Sequence, residues 1–308
     1  GRALGTRPGP RPGWRQRGEH LGLLLRLAVV LTSAMPTSVR YALADIGGDG
    51  AHRLLRRRAR VARENYLPFT RGEREAERLT RRAFRNYART VMDFLVLERL
   101  VEETKAHPEL VETGPLRAAL ASGRSAIVVT PHFGNWDLGA AMTATCSRPV
   151  FAVADQFGPP AVDSQVRATR ERVGVSVIPT GPSSAREALR VLRRGDVLCL
   201  AADIDKAGSG VAVRFLGRLV SLPGGPATLA LRTDSPIIPG YVRRLKGGGH
   251  EARLLDPLPF PPPGRKEERV GLLTQRIAEA FEVMIRRDPD QWFAFHRLVE
   301  RATGGPPP

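Results

Sequence analysis

The chain has 308 residues, 42% of them hydrophobic, which is enough for a substantial core in one large domain or two small ones. Its formal net charge of +17 favours anionic partners such as a phospholipid surface, nucleic acid or a phosphorylated substrate, although a GC-biased genome would give the same arginine-rich composition. The two cysteines, Cys146 and Cys199, have no metal-ligand spacing, which argues against a disulfide framework and fits a reducing cytosol.

The two ends of the chain have the composition of disordered tails. Residues 1–18 are rich in proline, glycine and arginine, and residues 304–308 read GGPPP. The most apolar run, LGLLLRLAVVL at 21–31, is shorter than the roughly 20 residues of a spanning helix. Its basic flank is also typical of a signal peptide, but no small-residue cleavage pattern follows it. We expect a membrane-surface or core helix there.

Residues 19–110 have a helical pattern with an arginine-rich face. The apolar positions of the predicted helix between residues 73 and 103 are Leu79, Phe84, Tyr87, Val91, Phe94, Leu95 and Leu97. Most of them are three or four residues apart, which places them on one helix face with arginines opposite. Residues 51–66 repeat the pattern. The basic faces are either solvated or lie on an anionic membrane.

Residues 111–303 alternate between short apolar runs and helical patterns. The predicted strands are 125–130, 150–154, 175–179, 196–202, 211–215 and 235–242. The predicted helices are 135–146, 161–173, 184–195, 225–233 and a long amphipathic helix from about 268 to Pro289. This alternation predicts an α/β fold with a largely parallel central sheet flanked by helices, preceded by a helical, membrane-associating region at 19–110.

The stretch HFGNWD at 132–137 is the main candidate site. It follows a predicted buried strand, so His132 lies at the carboxyl end of that strand, where open α/β sheets bind ligands. Asn135 is a plausible N-cap of the next helix. A turn at Gly134 would return the Asp137 carboxylate to one imidazole nitrogen, leaving the other as a general base. A lone histidine before a helix is, however, more often structural.

Two other chemistries fit the same stretch less well. A metal site lacks a second histidine or cysteine at ligand spacing near His132. A serine hydrolase lacks the G-x-S-x-G turn that presents its nucleophile.

HFGNWD has the H-x-x-x-x-D form of the glycerolipid acyltransferases. Further stretches resemble, in order, segments of the branch that contains bacterial lipid A lauroyl/myristoyl acyltransferases and actinobacterial phosphatidylinositol mannoside acyltransferases. They are SAREALRVLRRGDVLCLAADID, GVAVRFLGR, LPGGPATLALRTDSPIIPGYVRR and DPDQWFAFHR, and the resemblance covers about residues 80 to 300. Two departures, VADQFGPP without the arginine pair common in the lipid A branch and an Asp closing the motif, favour the mannoside or lysolipid side.

The resemblance implies an enzyme that transfers a fatty acyl group from acyl-CoA or acyl carrier protein to a lipid hydroxyl, without metal or cofactor. It implies a phosphatidylinositol mannoside as first candidate acceptor, with a lysophospholipid or a lipid A precursor as alternatives. His132 is the implied base and Asp137 its partner, and Asp203 lies near the position of a family acid. Asp203 and Asp205 follow the predicted strand 196–202, so they should emerge near His132 at the same sheet edge, where a second carboxylate could orient His132 or the acceptor sugar. The implied location is peripheral, on the cytoplasmic face of the cell membrane, bound to anionic lipid.

Several further residues are candidates for substrate binding. They are Asn135, Trp136, Asp205, Arg214, Arg218, Gly224, Gly225 and His296, with Arg243 as another phosphate-binding candidate. The arginines suit phosphate by bidentate contacts, and the two glycines precede a helix N-terminus that suits an anion. Each of these residues also has an ordinary structural explanation. The arginines could lie on the surface and the glycines could form a tight turn. Asp205 could cap a turn, and Trp136 could pack in the core. Trp292, Phe293 and Phe295 are expected to pack the last helix.

Two other functions stay open. A nucleic-acid-binding protein would explain the charge, but it leaves HFGNWD unexplained and no stacking platform or known nucleic-acid motif is present. A thioesterase would use the same His/Asp site with water as the acceptor. Nucleic acid is therefore not an expected partner.

Overall fold

The computed structural model describes residues 29–206 and 208–300, and the predicted tails at 1–18 and 304–308 lie outside them. After a helical stretch at residues 29–34, four helices follow. They are α1 (Thr37–Leu54), α2 (Arg56–Tyr66), α3 (Glu73–Phe94) and α4 (Leu97–Lys105). The helical pattern predicted for the N-terminal part of the chain is confirmed where the structure describes it.

Helix α1 packs closely along α3. A Cβ atom on Gly48 would lie 2.6 Å from the Cα of Arg85, so only glycine allows the two backbones to approach this far. Asp49 accepts hydrogen bonds from Arg81 and Arg85, and Asp45 accepts two from Arg89. The arginines that the sequence places on one face of α3 therefore bind α1 in part, and are not all free on the surface.

Within the described residues, seven strands form one twisted layer of the fold. Its strands are β1 (Val111–Glu112), β2 (Ala126–Thr130), β3 (Val150–Ala154), β4 (Val175–Pro179), β5 (Val197–Ala201), β8 (Ile237–Arg244) and β9 (His250–Leu254). Their order is β1-β9-β8-β2-β5-β3-β4. All neighbouring pairs are parallel except β8 with β9, so the largely parallel sheet of the prediction is confirmed.

A smaller antiparallel sheet lies beside the large one. It has the order β10-β7-β6 and is formed by β6 (Val211–Phe215), β7 (Arg218–Leu222) and β10 (Val299–Glu300). Six helices complete the α/β part. They are α5 (Gly114–Ala121), α6 (Trp136–Ala144), α7 (Pro160–Arg172), α8 (Ser184–Arg193), α9 (Gly225–Thr233) and α10 (Lys266–Arg287).

One apolar core joins the helical N-terminal part to both sheets. Tyr66 and Leu79 of the N-terminal helices, Ile127 of β2, Phe215 of β6 and Phe281 of α10 all belong to it and are buried. Because β2 is covered on both faces, its run of apolar residues is continuous instead of alternating. Among the described helices, none combines the length and the apolar character needed to cross a bilayer.

Candidate active site

The register of the sheet brings two of the predicted residues together. Strands β2 and β5 are parallel neighbours, and Thr130 pairs with Ala201 at their carboxyl ends. His132 and Asp203 each follow two residues later, on adjacent loops at the same edge. Nδ1 of His132 lies 2.6 Å from Oδ1 of Asp203. An imidazole and a carboxylate, distant in sequence, thus form one hydrogen-bonded pair where parallel sheets bind ligands.

Burial and charge act against each other in this pair. Asp203 is only 2% exposed, and burial alone would raise the pKa of its carboxyl, but the charge and hydrogen bond of His132 outweigh it and lower that pKa. Burial lowers the pKa of the His132 imidazole, but the charge and hydrogen bond of Asp203 raise it by more. The pKa of His132 therefore lies above its ordinary value of 6.5. An ionised carboxylate only accepts hydrogen bonds, so the neutral form of the His132 ring carries its proton on Nδ1 and its lone pair on Nε2. The imidazole side chain is 30% exposed and therefore accessible.

Trp292 completes the surroundings of Asp203. Its indole Nε1 donates to Oδ2 at 3.0 Å, so both carboxylate oxygens have a partner. The carbonyl of Trp292 in turn accepts from the hydroxyl of Tyr66. Trp292 follows α10, which ends at Arg287, and shares the apolar core with Phe281 of that helix, in agreement with the expected packing. Its hydrogen bond to Asp203 was not predicted. Its block, DPDQWFAFHR, was the available sequence signal, since a buried indole requires an acceptor for its N–H.

The loop of His132 has a backbone conformation that requires glycine. Gly134 has φ +58°, and a Cβ there would lie 1.7 Å from the carbonyl oxygen of Val242. Its N–H donates to the carbonyl of Gln291 at 2.8 Å. Asn135 caps α6 by accepting from the N–H of Leu138 at 3.0 Å, the capping contact that the sequence predicts.

Asp137 is not the partner of His132 in the structure. Its Oδ1 accepts a hydrogen bond of 2.7 Å from Nε of Arg170 on α7. As the second residue of α6, its carboxylate is directed to the neighbouring helix, while the loop turns the imidazole towards β5. The expected contact between Asp137 and His132 is therefore corrected to one between Asp203 and His132.

An apolar cavity of about 170 Å³ lies next to Trp136, and His132 is not among its lining residues. Trp136 lines it, and the ring centroids of Trp136 and His132 are 5.5 Å apart in an edge-on arrangement. The remaining walls come mainly from α3 and α7, with the Asp137–Arg170 pair at one side. The lining also includes Tyr87, Val91, Phe94, Phe157, Val162 and Val166. Trp136 therefore lies between the His132 ring and an apolar cavity.

The other candidate residues have varied surroundings. The Asp205 carboxylate accepts hydrogen bonds from the backbone N–H groups of Gly208 and Gly210 and from the hydroxyl of Ser221, which is the turn-capping alternative. Arg218 donates to the carbonyl of Glu64 at 2.6 Å. Arg214 is exposed on β6.

The three remaining phosphate-binding candidates are two glycines at a helix start and one arginine. Gly224 and Gly225 form the start of α9, as predicted, and a Cβ on Gly224 would lie 2.8 Å from the side chain of Val211. Arg243 donates to Glu251 at 2.6 Å, so its guanidinium already has an anionic partner.

His296 and Lys206 lie in the electrostatic surroundings of the pair. The pKa of the His296 ring is lowered by partial burial and then by the charges of His132 and Lys206. Lys206 forms an ion pair with Asp155, which follows β3.

The described residues 29–206 and 208–300 were also compared with two other kinds of site, a metal cluster and a reactive cysteine. No group of three or more His, Cys, Asp or Glu residues there is arranged to hold a metal ion. Burial raises the pKa of the Cys199 thiol to about 12, so this cysteine is protonated and unreactive at neutral pH.

Comparison with known proteins identifies the family of the chain. The profile of a family described as "Bacterial lipid A biosynthesis acyltransferase" matches residues 17–301. A protein of Mycolicibacterium smegmatis (strain ATCC 700084 / mc(2)155), named phosphatidylinositol mannoside acyltransferase, is 29% identical over 187 residues, 60% of this chain and 60% of that protein. One of the same name from Mycobacterium tuberculosis (strain CDC 1551 / Oshkosh) is 31% identical over 180 residues, 58% and 55% respectively. The matched part therefore spans little more than half of each relative.

Proposed function

We propose, from the premise that this chain belongs to the bacterial lipid A biosynthesis acyltransferase family, that it moves a fatty acyl group from a thioester, acyl-CoA or acyl carrier protein, to a hydroxyl of a glycolipid. The first candidate acceptor is a phosphatidylinositol mannoside, because two relatives carry that substrate in their names. A lysophospholipid or a lipid A precursor is the alternative.

The single observation that carries this proposal is the hydrogen bond of 2.6 Å between His132 and Asp203. An alcohol is a weak nucleophile, and a positioned base accelerates its attack by roughly 10²–10⁴-fold. Nε2 of His132 takes the hydroxyl proton as the oxygen bonds to the thioester carbonyl carbon. When the tetrahedral intermediate collapses, the C–S bond breaks and the thiolate takes the proton back from Nε2. Asp203 stabilises the imidazolium between these two steps.

The apolar cavity beside Trp136 suits the acyl chain of the donor. Its lining is largely hydrophobic, and one lining residue, Trp136, contacts the ring of His132. Each methylene that is buried there contributes about 0.8 kcal/mol to binding. The exposed side chains of Phe157 and Val91 lie at the outer side of this cavity.

The surface of α1 and α2 suits an anionic membrane. Val39, Leu43 and Ile46 recur at helical spacing on α1 and are exposed. Arginines follow at the junction of the two helices, where Arg53, Arg56, Arg60 and Arg63 line an open cleft. Each basic residue near an anionic surface contributes about 1 kcal/mol to binding, so the face would hold the enzyme peripherally. We place it on the cytoplasmic leaflet, where acyl thioesters are made.

The activity test uses purified protein, labelled palmitoyl-CoA and vesicles that contain one candidate acceptor each: a phosphatidylinositol mannoside, a lysophospholipid or a lipid A precursor. We expect transfer to the mannoside, and its loss in His132→Ala. His107→Ala is the matched control, because His107 is an exposed histidine paired only with Glu109. Full activity of His132→Ala would overturn the mechanism. Fatty acid release that no acceptor affects would instead identify a thioesterase.

The membrane test uses sedimentation with vesicles containing phosphatidylinositol. We expect Ile46→Glu to reduce binding, because Ile46 is 71% exposed on the proposed face. Val283→Glu is the control, since Val283 is 67% exposed on α10 and outside that face. Equal losses in the two variants would exclude α1 as the binding surface. Salt-dependent DNA binding without acyl transfer would favour the nucleic-acid alternative.

A further inference from the structure

The carbonyl of Gly134, in the loop of His132, is held by a side chain from another helix. Thr90 of α3 is buried, and its hydroxyl donates to this carbonyl at 3.0 Å. A buried threonine in a helix usually donates to the carbonyl four residues earlier, as Thr80 does to Ala76 at 2.8 Å. Thr90 instead donates its proton to the loop, so it contributes to the position of His132.

The hydroxyl of Thr90 is itself oriented by a buried ion pair. Nη2 of Arg244 donates to it at 3.3 Å, and the same atom donates to Oδ2 of Asp93 at 2.6 Å. Both charged residues are buried, and Asp93 is also near His250. A buried ion pair adds little net stability compared with apolar packing, because desolvation of its charges is costly. What it does supply is one fixed arrangement of the groups around it.

Arg244 is anchored from a second direction by the segment after α10. The side-chain oxygen of Gln291 accepts from its backbone N–H at 2.8 Å, and the side-chain amide donates to its carbonyl at 2.9 Å. The backbone carbonyl of Gln291 accepts from the N–H of Gly134 at 2.8 Å. The loop of His132 is therefore held at one residue by Thr90 and by Gln291, and both contact Arg244.

The ion pair continues to helix α1. The hydroxyl of Tyr41 donates to Oδ1 of Asp93 at 2.9 Å and accepts from Nε of Arg244 at 3.2 Å. The guanidinium of Arg244 lies 5.1 Å from the centroid of the Tyr41 ring. Tyr41 is on the same helix as the exposed Ile46. A continuous chain of contacts thus runs from the proposed membrane face, through Tyr41, the Asp93–Arg244 pair and Thr90, to Gly134.

We propose that Thr90, Asp93 and Arg244 are positioning residues for His132, and that Tyr41 links them to α1, so that binding of α1 to a lipid surface favours the reactive geometry of the His132 loop. The second half of this inference rests on the proposed function. A displacement of about 1 Å in a reacting group can cost up to roughly 10²-fold in rate, so a contact with the backbone of the loop has leverage over turnover.

The first test compares Thr90→Val with Thr80→Val, which removes a buried hydroxyl from the same helix without touching the loop. We expect Thr90→Val to lower kcat by between roughly 10-fold and 100-fold; because Thr90 also lines the apolar cavity, kcat and not KM is the readout. Thr80→Val should retain kcat within roughly twofold. Thr90→Ser keeps the hydroxyl and should restore most of the activity, which separates the hydrogen bond from the packing of the side chain.

A measurement without turnover keeps this test independent of the proposed function. The proton on Nδ1 of His132 gives an NMR signal that depends on its hydrogen bond with Asp203. We expect this signal to shift or broaden in Thr90→Val and to stay in place in Thr80→Val and Thr90→Ser. An unchanged signal and unchanged kcat in a folded Thr90→Val protein would overturn the positioning role.

The second test addresses the link to α1 through Tyr41→Phe. Turnover is measured with palmitoyl-CoA and a detergent-dispersed acceptor, before and after addition of vesicles that contain phosphatidylinositol. We expect these vesicles to stimulate the wild type, and Tyr41→Phe to bind them equally well with little stimulation. Absence of stimulation in the wild type, or full stimulation in Tyr41→Phe, would refute the coupling. A wild type inactive with every acceptor would instead refute the proposed function, while the NMR comparison would still test the positioning.

Discussion

The indole of Trp292 donates a hydrogen bond of 3.0 Å to Asp203, on the carboxylate oxygen that His132 does not contact. Each residue comes from a different part of the chain: His132 follows β2, Asp203 follows β5, and Trp292 lies beyond the last long helix. The carboxylate is held from two sides and is buried, so it has little freedom to rotate away from the imidazole. This arrangement gives Asp203 a different role from Asp137, which binds Arg170.

Replacement of Asp203 should change both the rate and its pH dependence. In Asp203→Asn we expect kcat to fall by roughly 10²-fold or more, because an amide can donate to Nδ1 and favour the wrong tautomer. The pKa of His132 should also fall, since Asp203 is what raises it. A base acts when it is deprotonated, so kcat/KM rises with pH through that pKa. The inflection in the pH profile should therefore move to lower pH in the variant.

Asp137→Asn is the matched control for this experiment. Because Asp137 binds Arg170 and not His132, its replacement should leave the inflection of the pH profile unchanged. It should lower the free energy of unfolding by about 1–3 kcal/mol, through loss of a partly buried charged hydrogen bond. If Asp137→Asn moved the inflection as far as Asp203→Asn does, the assignment of partners would have to be reversed.

The sequence predicted the location of the site better than its pairing. The alternation of apolar runs placed both His132 and Asp203 at the carboxyl ends of strands. The order of strands in the sheet depends on packing between segments that are distant in sequence. In this sheet β2 lies next to β5 and not next to β3. Without that order, the carboxylate five residues after His132 was the nearer choice, although the first turn of α6 directs it to Arg170.

Two strands absent from the prediction, β7 and β9, share a physical reason. Strand β9 reads HEARL and β7 begins with an arginine, so neither shows a continuous apolar run. Strand β9 has only β8 and the two-residue β1 as partners, near one margin of the sheet. Strand β2, which is buried at all positions but its last, was bounded within one residue, because burial imposes an unbroken apolar pattern.

Loss of the Trp292 N–H donor should lower kcat more than loss of aromatic volume elsewhere in the same core. In Trp292→Phe, Oδ2 of Asp203 loses its hydrogen bond, which we expect to raise the pKa of that carboxyl and to lower kcat by roughly tenfold. Phe281→Leu is a suitable control, because it removes aromatic volume from the same core without touching Asp203. Urea denaturation should show a loss of stability in both variants, and steady-state kinetics should show a loss of kcat in Trp292→Phe alone.

The His132–Asp203 pair should make stability depend on pH in a defined window. The pKa of His132 is raised in the folded state. The stabilisation that this histidine adds to the free energy of unfolding is therefore fully present below pH 6.5 and is lost as pH rises through the folded pKa. The pKa of Asp203 is lowered, so its contribution is present above 3.8 and is lost as pH falls through the folded pKa. Both residues therefore stabilise the folded state between pH 3.8 and pH 6.5.

The measurement compares the free energy of unfolding of wild type and His132→Gln by urea denaturation. The difference between them should be larger at about pH 5 than at about pH 9. His107→Gln, at an exposed histidine, should show a smaller change between the same two conditions. A difference for His132→Gln that did not decline at alkaline pH would contradict the raised pKa.

Gly134 should be the least replaceable residue of the His132 loop. Gly134→Ala combines a positive φ with a Cβ placed 1.7 Å from the carbonyl oxygen of Val242, so the loop or β8 must move. We expect a loss of about 4 kcal/mol or more in the free energy of unfolding, with loss of transfer activity in any folded fraction. Gly123 offers the comparison, because it has φ +77° but no atom within 4 Å of the position that a Cβ would occupy. Gly123→Ala should cost only the backbone strain of about 1–2 kcal/mol and keep kcat. Similar losses in the two variants would mean that backbone strain alone, and not the contact with Val242, fixes the position of the loop.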